Sequence, residues 1–176
     1  MLTKTVTRRN LGLGAAAIAL TACVKTGREA QAAGAKTKDS MEMKMSDIDW
    51  ANLSEQDWEQ RLTAVEFHVL RQEGTERPGS SPLNNEKRKG TFVCAGCELP
   101  LFTSEQKYES GTGWPSFFDV IDGAVDTKVD RKLFAARTEY HCSRCGGHQG
   151  HVFKDGPRPT GLRYCNNGVA LKFKEA

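Results

Sequence analysis

Two C-x-x-C pairs, Cys94–Cys97 and Cys142–Cys145, stand 44 residues apart in a chain of 176. Each pair can present two thiolates to one metal ion from a tight turn, and two such turns complete a tetrahedron. A fold that accepts this site must bring two distant corners together, so locally closed elements in series are excluded. Gly96 and Gly146 fall inside or beside the turns, where sulfurs and backbone N–H groups crowd. Tetrahedral all-sulfur ligation suits zinc, with iron as the alternative. The competing reading is a pair of redox dithiols or disulfides, which an oxidising compartment favours. Four sulfur ligands leave no open position for water, so the expected role of the metal is to pin two β-hairpins together.

The other two of the six cysteines are Cys23 and Cys165. Cys23 ends an N-terminal segment with its own logic. Lys4, Arg8 and Arg9 precede the uncharged, apolar stretch Leu11–Ala22. Twelve residues are too few to span a hydrocarbon core of about 30 Å as a helix, so the stretch reads as a targeting segment. Thr7-Arg8-Arg9-Asn10-Leu11-Gly12-Leu13 resembles a twin-arginine export signal, a class whose substrates fold and often bind metal before export. Leu20-Thr21-Ala22-Cys23 resembles a bacterial lipobox, with Cys23 as the acylated residue. The expected organisation is a signal over 1–22, a flexible tether over 23–46 and a folded domain over 47–176. The expected location is an exported, membrane-anchored lipoprotein facing the periplasm or extracytoplasmic space. The tether has no aromatic residue and too little apolar surface to offset the entropy of ordering it.

The formal charge of +3 misleads about partners. Three of the 25 Lys/Arg lie in the signal and no Asp/Glu does, which leaves 22 basic against 22 acidic side chains. A neutral chain without a basic-aromatic stripe carries no electrostatic footprint for nucleic acid.

In the folded part, Ser54-Glu55-Gln56-Asp57 reads as a capped helix start. Trp58, Leu62, Val65 and Val69 recur at helical spacing and predict one helix over 55–72 with a buried stripe, stopped near Gly74. Strands are predicted at Thr91–Val93, Leu99–Phe102, Ser116–Val120, Val125–Val129, Thr138–Cys142 and His151–Phe153. Leu162–Asn166 and Val169–Phe173 read as a closing hairpin around Asn167-Gly168. No βαβ alternation occurs. The fold class is mainly β: two antiparallel sheets in a sandwich or open barrel, with N-terminal helices.

Chemistry concentrates near the C-terminus. His148 and His151 lie three apart, and Asp155 follows. Arg163, Cys165 and Asn167 share one face of a strand. A guanidinium beside a thiol lowers its pKa, and histidines nearby can deliver protons. Each residue alone could be a satisfied structural group. Burying a thiol, two imidazoles and a guanidinium together is costly unless chemistry uses them. Trp114, in the loop Glu109-Ser110-Gly111-Thr112-Gly113-Trp114-Pro115-Ser116-Phe117, is suited to hold a methyl or thioether group, or else caps the core.

These segments resemble the methionine sulfoxide reductase B family. The resemblance rests on Thr91–Cys97, Ser110–Phe117, His148–Gly161 and Arg163–Asn167, and covers about residues 50–173. It implies that the chain reduces the R epimer of methionine sulfoxide in oxidised proteins. It implies Cys165 as a nucleophile that becomes a sulfenic acid, and His148 and His151 as the proton-delivering pair. Arg163 supports the thiolate, Asn167 orders the hydrogen bonds and Asp155 orients a histidine. Trp114 packs on the substrate methyl group with Phe153 as a second wall, and zinc sits on Cys94, Cys97, Cys142 and Cys145. Many members carry a resolving cysteine in the Trp114 loop, where this chain has Thr112. A thioredoxin-like or glutaredoxin-like protein is therefore the expected reductant. The alternatives are a non-catalytic zinc-stabilised lipoprotein that binds a partner through the Trp114 loop, and another thiol enzyme such as a thiol peroxidase. A monomer is expected.

Overall fold

The computed structural model describes residues 48–132 and 136–176. The signal over 1–22, Cys23 and the tether over 23–46 lie outside the described residues.

Two short helices, α1 (Glu55–Arg61) and α2 (Ala64–Gln72), replace the single predicted helix. The break is chemical. Ser54 caps α1 by accepting from the Asp57 N–H while Asp57 accepts from the Ser54 N–H. Thr63 and Glu66 repeat the same reciprocal box one turn after α1 ends. A second start signal inside one apolar stripe makes two helices of it. Trp58, Leu62 and Val69 are buried as expected, whereas Val65 is 57% exposed because α2 turns it outward.

Among the described residues nine strands follow, all paired antiparallel. β1 (Gly90–Cys94) lies between β2 (Pro100–Thr103) and β9 (Leu171–Glu175) in a three-stranded sheet. The second sheet runs β3 (Lys107–Tyr108), β4 (Ser116–Phe117), β8 (Arg163–Asn166), β7 (His148–Phe153), β6 (Arg137–Cys142) and β5 (Val125–Asp130). The mainly β, two-sheet class with N-terminal helices is what forms. β4 is only two residues long, shorter than the predicted Ser116–Val120.

The core is aromatic and sits between the sheets. Phe102 and Phe117 stack with centroids 4.0 Å apart, and Phe92 meets Phe117 edge-on at 5.0 Å. All three are fully buried. Tyr140 closes the layer, its hydroxyl donating to Asn166 Oδ1 at 2.7 Å.

The predicted hairpin around Asn167-Gly168 does not form. β8 belongs to one sheet and β9 to the other, joined by a 3-10 turn over Gly168–Ala170. The buried Glu76 carboxylate accepts from the Gly168 N–H at 2.6 Å and the Val169 N–H at 3.0 Å. That capture satisfies the backbone groups a hairpin would have paired and turns the chain toward β1.

Candidate active site and metal centre

Cys94 ends β1 and Cys142 ends β6, so the two corners that meet belong to different sheets. The four Sγ atoms of Cys94, Cys97, Cys142 and Cys145 lie within 4.8 Å of one another, all buried. Cys94–Cys145 and Cys97–Cys142 are 3.7 and 3.5 Å apart. A tetrahedron of sulfurs at about 2.3 Å from zinc has edges of about 3.8 Å, so the donors fit that ion. A disulfide needs sulfurs about 2.05 Å apart, and all four cysteines are free. Gln149 Nε2 donates to Cys94 Sγ at 3.5 Å, and Arg71 and Arg144 donate to the Cys145 and Cys97 carbonyls at 2.8 and 3.2 Å. These donors orient the ligand turns and offset the charge of four thiolates.

The second centre is built on the β7–β8 ladder. His151 lies directly opposite Cys165 in the register, and opposed residues of an antiparallel pair point to one face. Gly150 permits this approach, since a Cβ there would strike the Cys165 carbonyl. A cavity of about 120 Å³ opens at that point, walled by Trp114, Phe153, His151, Arg137, Cys165 and Asn167. It is far below the usual drug-sized site of about 300–1,000 Å³ and suits one small side-chain head. A larger groove of about 690 Å³ runs between α2 and residues 76–83, with Val65, Pro82 and Leu83 in its wall. It holds no thiol and no histidine, so the chemistry lies in the smaller cavity.

Each wall is held in place. Asp130 Oδ2 lies 2.7 Å from His151 Nε2 and accepts from Arg137 at 2.6 Å. His148 is buried behind His151, ring centroids 5.5 Å apart, and its Nδ1 lies 2.7 Å from Glu139 Oε1. An ionised carboxylate only accepts, so these contacts place the imidazole proton on His148 Nδ1 and on His151 Nε2. Burial lowers the His148 pKa, against the opposing pull of Glu139. Trp114 Nε1 donates to the Glu76 carbonyl at 3.2 Å, and the Glu76 N–H donates to Asn167 Oδ1 at 3.0 Å. Asn167 in turn donates to the Gln149 carbonyl at 3.0 Å. One residue thus ties the indole wall to the polar wall.

Cys165, His151, Trp114, Phe153 and Asn167 meet at the cavity; His148, Arg163 and Asp155 do not line it. Asp155 is not on a histidine. It accepts two bonds of 2.8 Å from Arg163, whose guanidinium lies 4.3 Å over the Phe153 ring. The carboxylates on the histidines are Asp130 and Glu139. The expected lowering of the Cys165 thiol is also reversed. Burial pushes it above the ordinary value, and the pulls of Arg163 and the Thr112 hydroxyl only reduce that rise. Asp130, Arg137, Glu139 and Glu76 escaped the sequence reading.

Comparison with known proteins agrees with this architecture. The family model described as the SelR domain matches residues 62–175. Peptide methionine sulfoxide reductase MsrB of Leptospira interrogans is 53% identical over 125 residues, 70% of this chain and 95% of that protein. The protein of the same name from Methanosarcina barkeri is 57% identical over 122 residues, 69% of this chain and 86% of that one. The chloroplastic reductase B1 of Arabidopsis thaliana is 48% identical over 71% of this chain and 62% of that protein. The fold and its two centres therefore define a SelR-domain protein. Within that class the chain belongs to the MsrB family of peptide methionine sulfoxide reductases.

Proposed function

We propose that the chain reduces the R epimer of methionine sulfoxide in proteins to methionine, with thiols as the electron source and Cys165 as the nucleophile. The observation that carries this reading is a single thiol facing a histidine at a small cavity with aromatic walls. The Cys165 thiolate attacks the sulfoxide sulfur and the oxygen takes one proton; the hydroxyl then passes to the Cys165 sulfur as the bond between the two sulfurs breaks, so that methionine leaves and Cys165 is a sulfenic acid. Trp114 and Phe153 hold the methyl group, which leaves the oxygen toward the polar wall. His151, held by Asp130 through its Nε2 proton, passes to the oxygen a proton that its Nδ1 has taken from water; His148 stands behind it on Glu139. Asn167, fixed by Glu76 and Gln149, orders the polar wall. Arg163, itself paired with Asp155, pulls the Cys165 thiol toward its ionised form by its charge.

The other four described cysteines are committed to the metal cluster. Thr112 cannot form a disulfide. An external thiol, from a thioredoxin-like or glutaredoxin-like protein, attacks the sulfenic acid and releases water. A second thiol frees Cys165 and leaves the reductant as a disulfide. Zinc, closed by four thiolates, supplies stability and no reactive water.

The test is turnover of peptide methionine sulfoxide with the epimers resolved. Wild type is expected to consume the R epimer and Cys165→Ser to lose at least a thousandfold, to order of magnitude, as for loss of a covalent nucleophile. Turnover of hydrogen peroxide but not of either epimer overturns the reading in favour of a thiol peroxidase.

The same proposal places the chain outside the cytoplasm, tethered as a monomer by acylated Cys23. Its support is the charged, apolar and small-residue order of Lys4–Cys23. Cys23→Ser is expected to move the protein from the membrane fraction to the soluble one; unchanged partition sinks the anchor.

A further inference from the structure

Arg137 lines the Cys165 cavity, and no step of the reaction above uses it. It opens β6 and lies directly opposite Asp130 at the end of the β5–β6 ladder. Glu139, two residues on, shares its face of the sheet and lies opposite His151. His151 in turn lies opposite Cys165. Strand register thus carries Arg137 onto the reacting face.

Asp130 holds the guanidinium. Its Oδ2 accepts from Arg137 Nη2 at 2.6 Å and lies 2.7 Å from His151 Nε2, while its Oδ1 accepts from the Lys132 N–H at 2.9 Å. With both oxygens engaged the carboxylate is fixed, and the guanidinium with it. Asp130 is the only partner of Arg137 among the described residues, and the Arg137 Nε–H is buried without one. A guanidinium is a fork of several N–H donors, so most of this one is unused. Arg137 keeps 31% of its side chain exposed, against 12% for His151 and 8% for Asp130, and so stands on the outer side of the group. It is also the one fixed positive charge among the residues that line the cavity.

A cavity of about 120 Å³ takes the head of one methionine side chain, so the main chain of a bound substrate stays at the mouth. Main-chain carbonyls are the acceptors that every peptide brings there. Asp130 already balances the Arg137 charge and opposes a second carboxylate beside it, so the acceptor that fits is neutral. We propose that Arg137 donates to a main-chain carbonyl of the substrate and thereby selects methionine sulfoxide within a peptide over a bare sulfoxide. The proposal rests on the reductase reading. Arg137 sets which molecules are held, while Cys165 and His151 act on the sulfur and its oxygen. One carboxylate, Asp130, orients both the residue that grips the main chain and the residue that moves the proton.

The experiment uses the full chain loaded with zinc and two substrates, N-acetylmethionine sulfoxide N-methylamide and ethyl methyl sulfoxide. Both carry the reacting group, and only the first carries peptide carbonyls. Single-turnover rates, with enzyme in excess, are read as thioether formed, so no reductant enters. Wild type is expected to favour the amide. Arg137→Met slows both reactions, because Asp130 loses a partner, and is expected to lower the amide-to-sulfoxide rate ratio about tenfold, the size of one hydrogen bond from a charged group. Arg137→Lys, whose ammonium can hold Asp130 but lacks the fork, is expected to lower the ratio while slowing ethyl methyl sulfoxide less. An unchanged ratio overturns the proposal, because Arg137 then acts only through Asp130 and His151 and both substrates suffer alike. A wild type with no preference for the amide overturns it as well. Should Arg137→Met not fold, the ratio in Arg137→Lys decides. A wild type that reduces neither compound overturns the reductase reading itself, whereas one that reduces both at a ratio the variants keep overturns the carbonyl contact alone.

Discussion

Burial holds His148 below the ordinary imidazole value of 6.5 even though Glu139 sits 2.7 Å away. The sign of the resulting pH dependence follows from proton counting. In the unfolded chain His148 binds a proton as pH falls through 6.5, and in the folded chain it stays neutral until a lower pH. The unfolded state holds more protons in that window, so this contribution to stability is full above 6.5 and is lost as the medium becomes more acid. Urea unfolding at several pH values between about 5 and 7.5 should show it, with a midpoint that falls on acidification. His148→Gln should flatten that slope, while an equal slope in both proteins contradicts the assignment. At this scale the nucleophile, the two histidines and the indole were legible, because their chemistry is rare enough to stand out. Asp130, Glu139 and Arg137 were not. In β5, reading Val-Asp-Thr-Lys-Val-Asp, and β6, reading Arg-Thr-Glu-Tyr-His-Cys, carboxylates look like a solvated face, and only the β5–β6–β7 ladder aims one from each strand at an imidazole.

The elements show where local signals compete. The capping box at Ser54–Asp57 was readable, and the equivalent one at Thr63–Glu66 was present in the same terms. An uninterrupted apolar period ran over it, and periodicity was weighted above the cap. Asn167-Gly168 is a sound hairpin signal by composition, yet Glu76, nearly a hundred residues earlier, claims the backbone groups that the turn would use. The metal centre acts at this scale too, since it joins the end of β1 to the end of β6. Structural zinc sites bind with roughly 10–16 kcal/mol of apparent free energy, comparable to the 5–15 kcal/mol that holds a typical domain folded. Removal by a strong chelator, with metal content followed by mass spectrometry, should abolish the cooperative thermal transition. Cys97→Ser should do the same without chelator. A metal-free protein that melts at the wild-type temperature would show that the aromatic core suffices.

For the whole molecule, the charge balance and the two C-x-x-C pairs already bounded the answer. The balance of 22 basic and 22 acidic side chains outside residues 1–22 left no electrostatic footprint for nucleic acid, and two thiolate pairs far apart in sequence required a fold that closes over a long loop. Among the described residues no helix is long and apolar enough to cross a membrane. The sequence by itself determined the metal's donor set and the mainly β class, and it named Cys165, His151 and Trp114 as candidates, because these depend on residue type and short-range spacing. Only the tertiary structure decided which carboxylate serves which histidine, that β8 and β9 part into different sheets, and that His151 faces Cys165 across the β7–β8 ladder. Those outcomes depend on strand register and on burial. Both are set by packing between segments far apart in the chain, and burial reverses the pull that a neighbouring arginine exerts on the thiol.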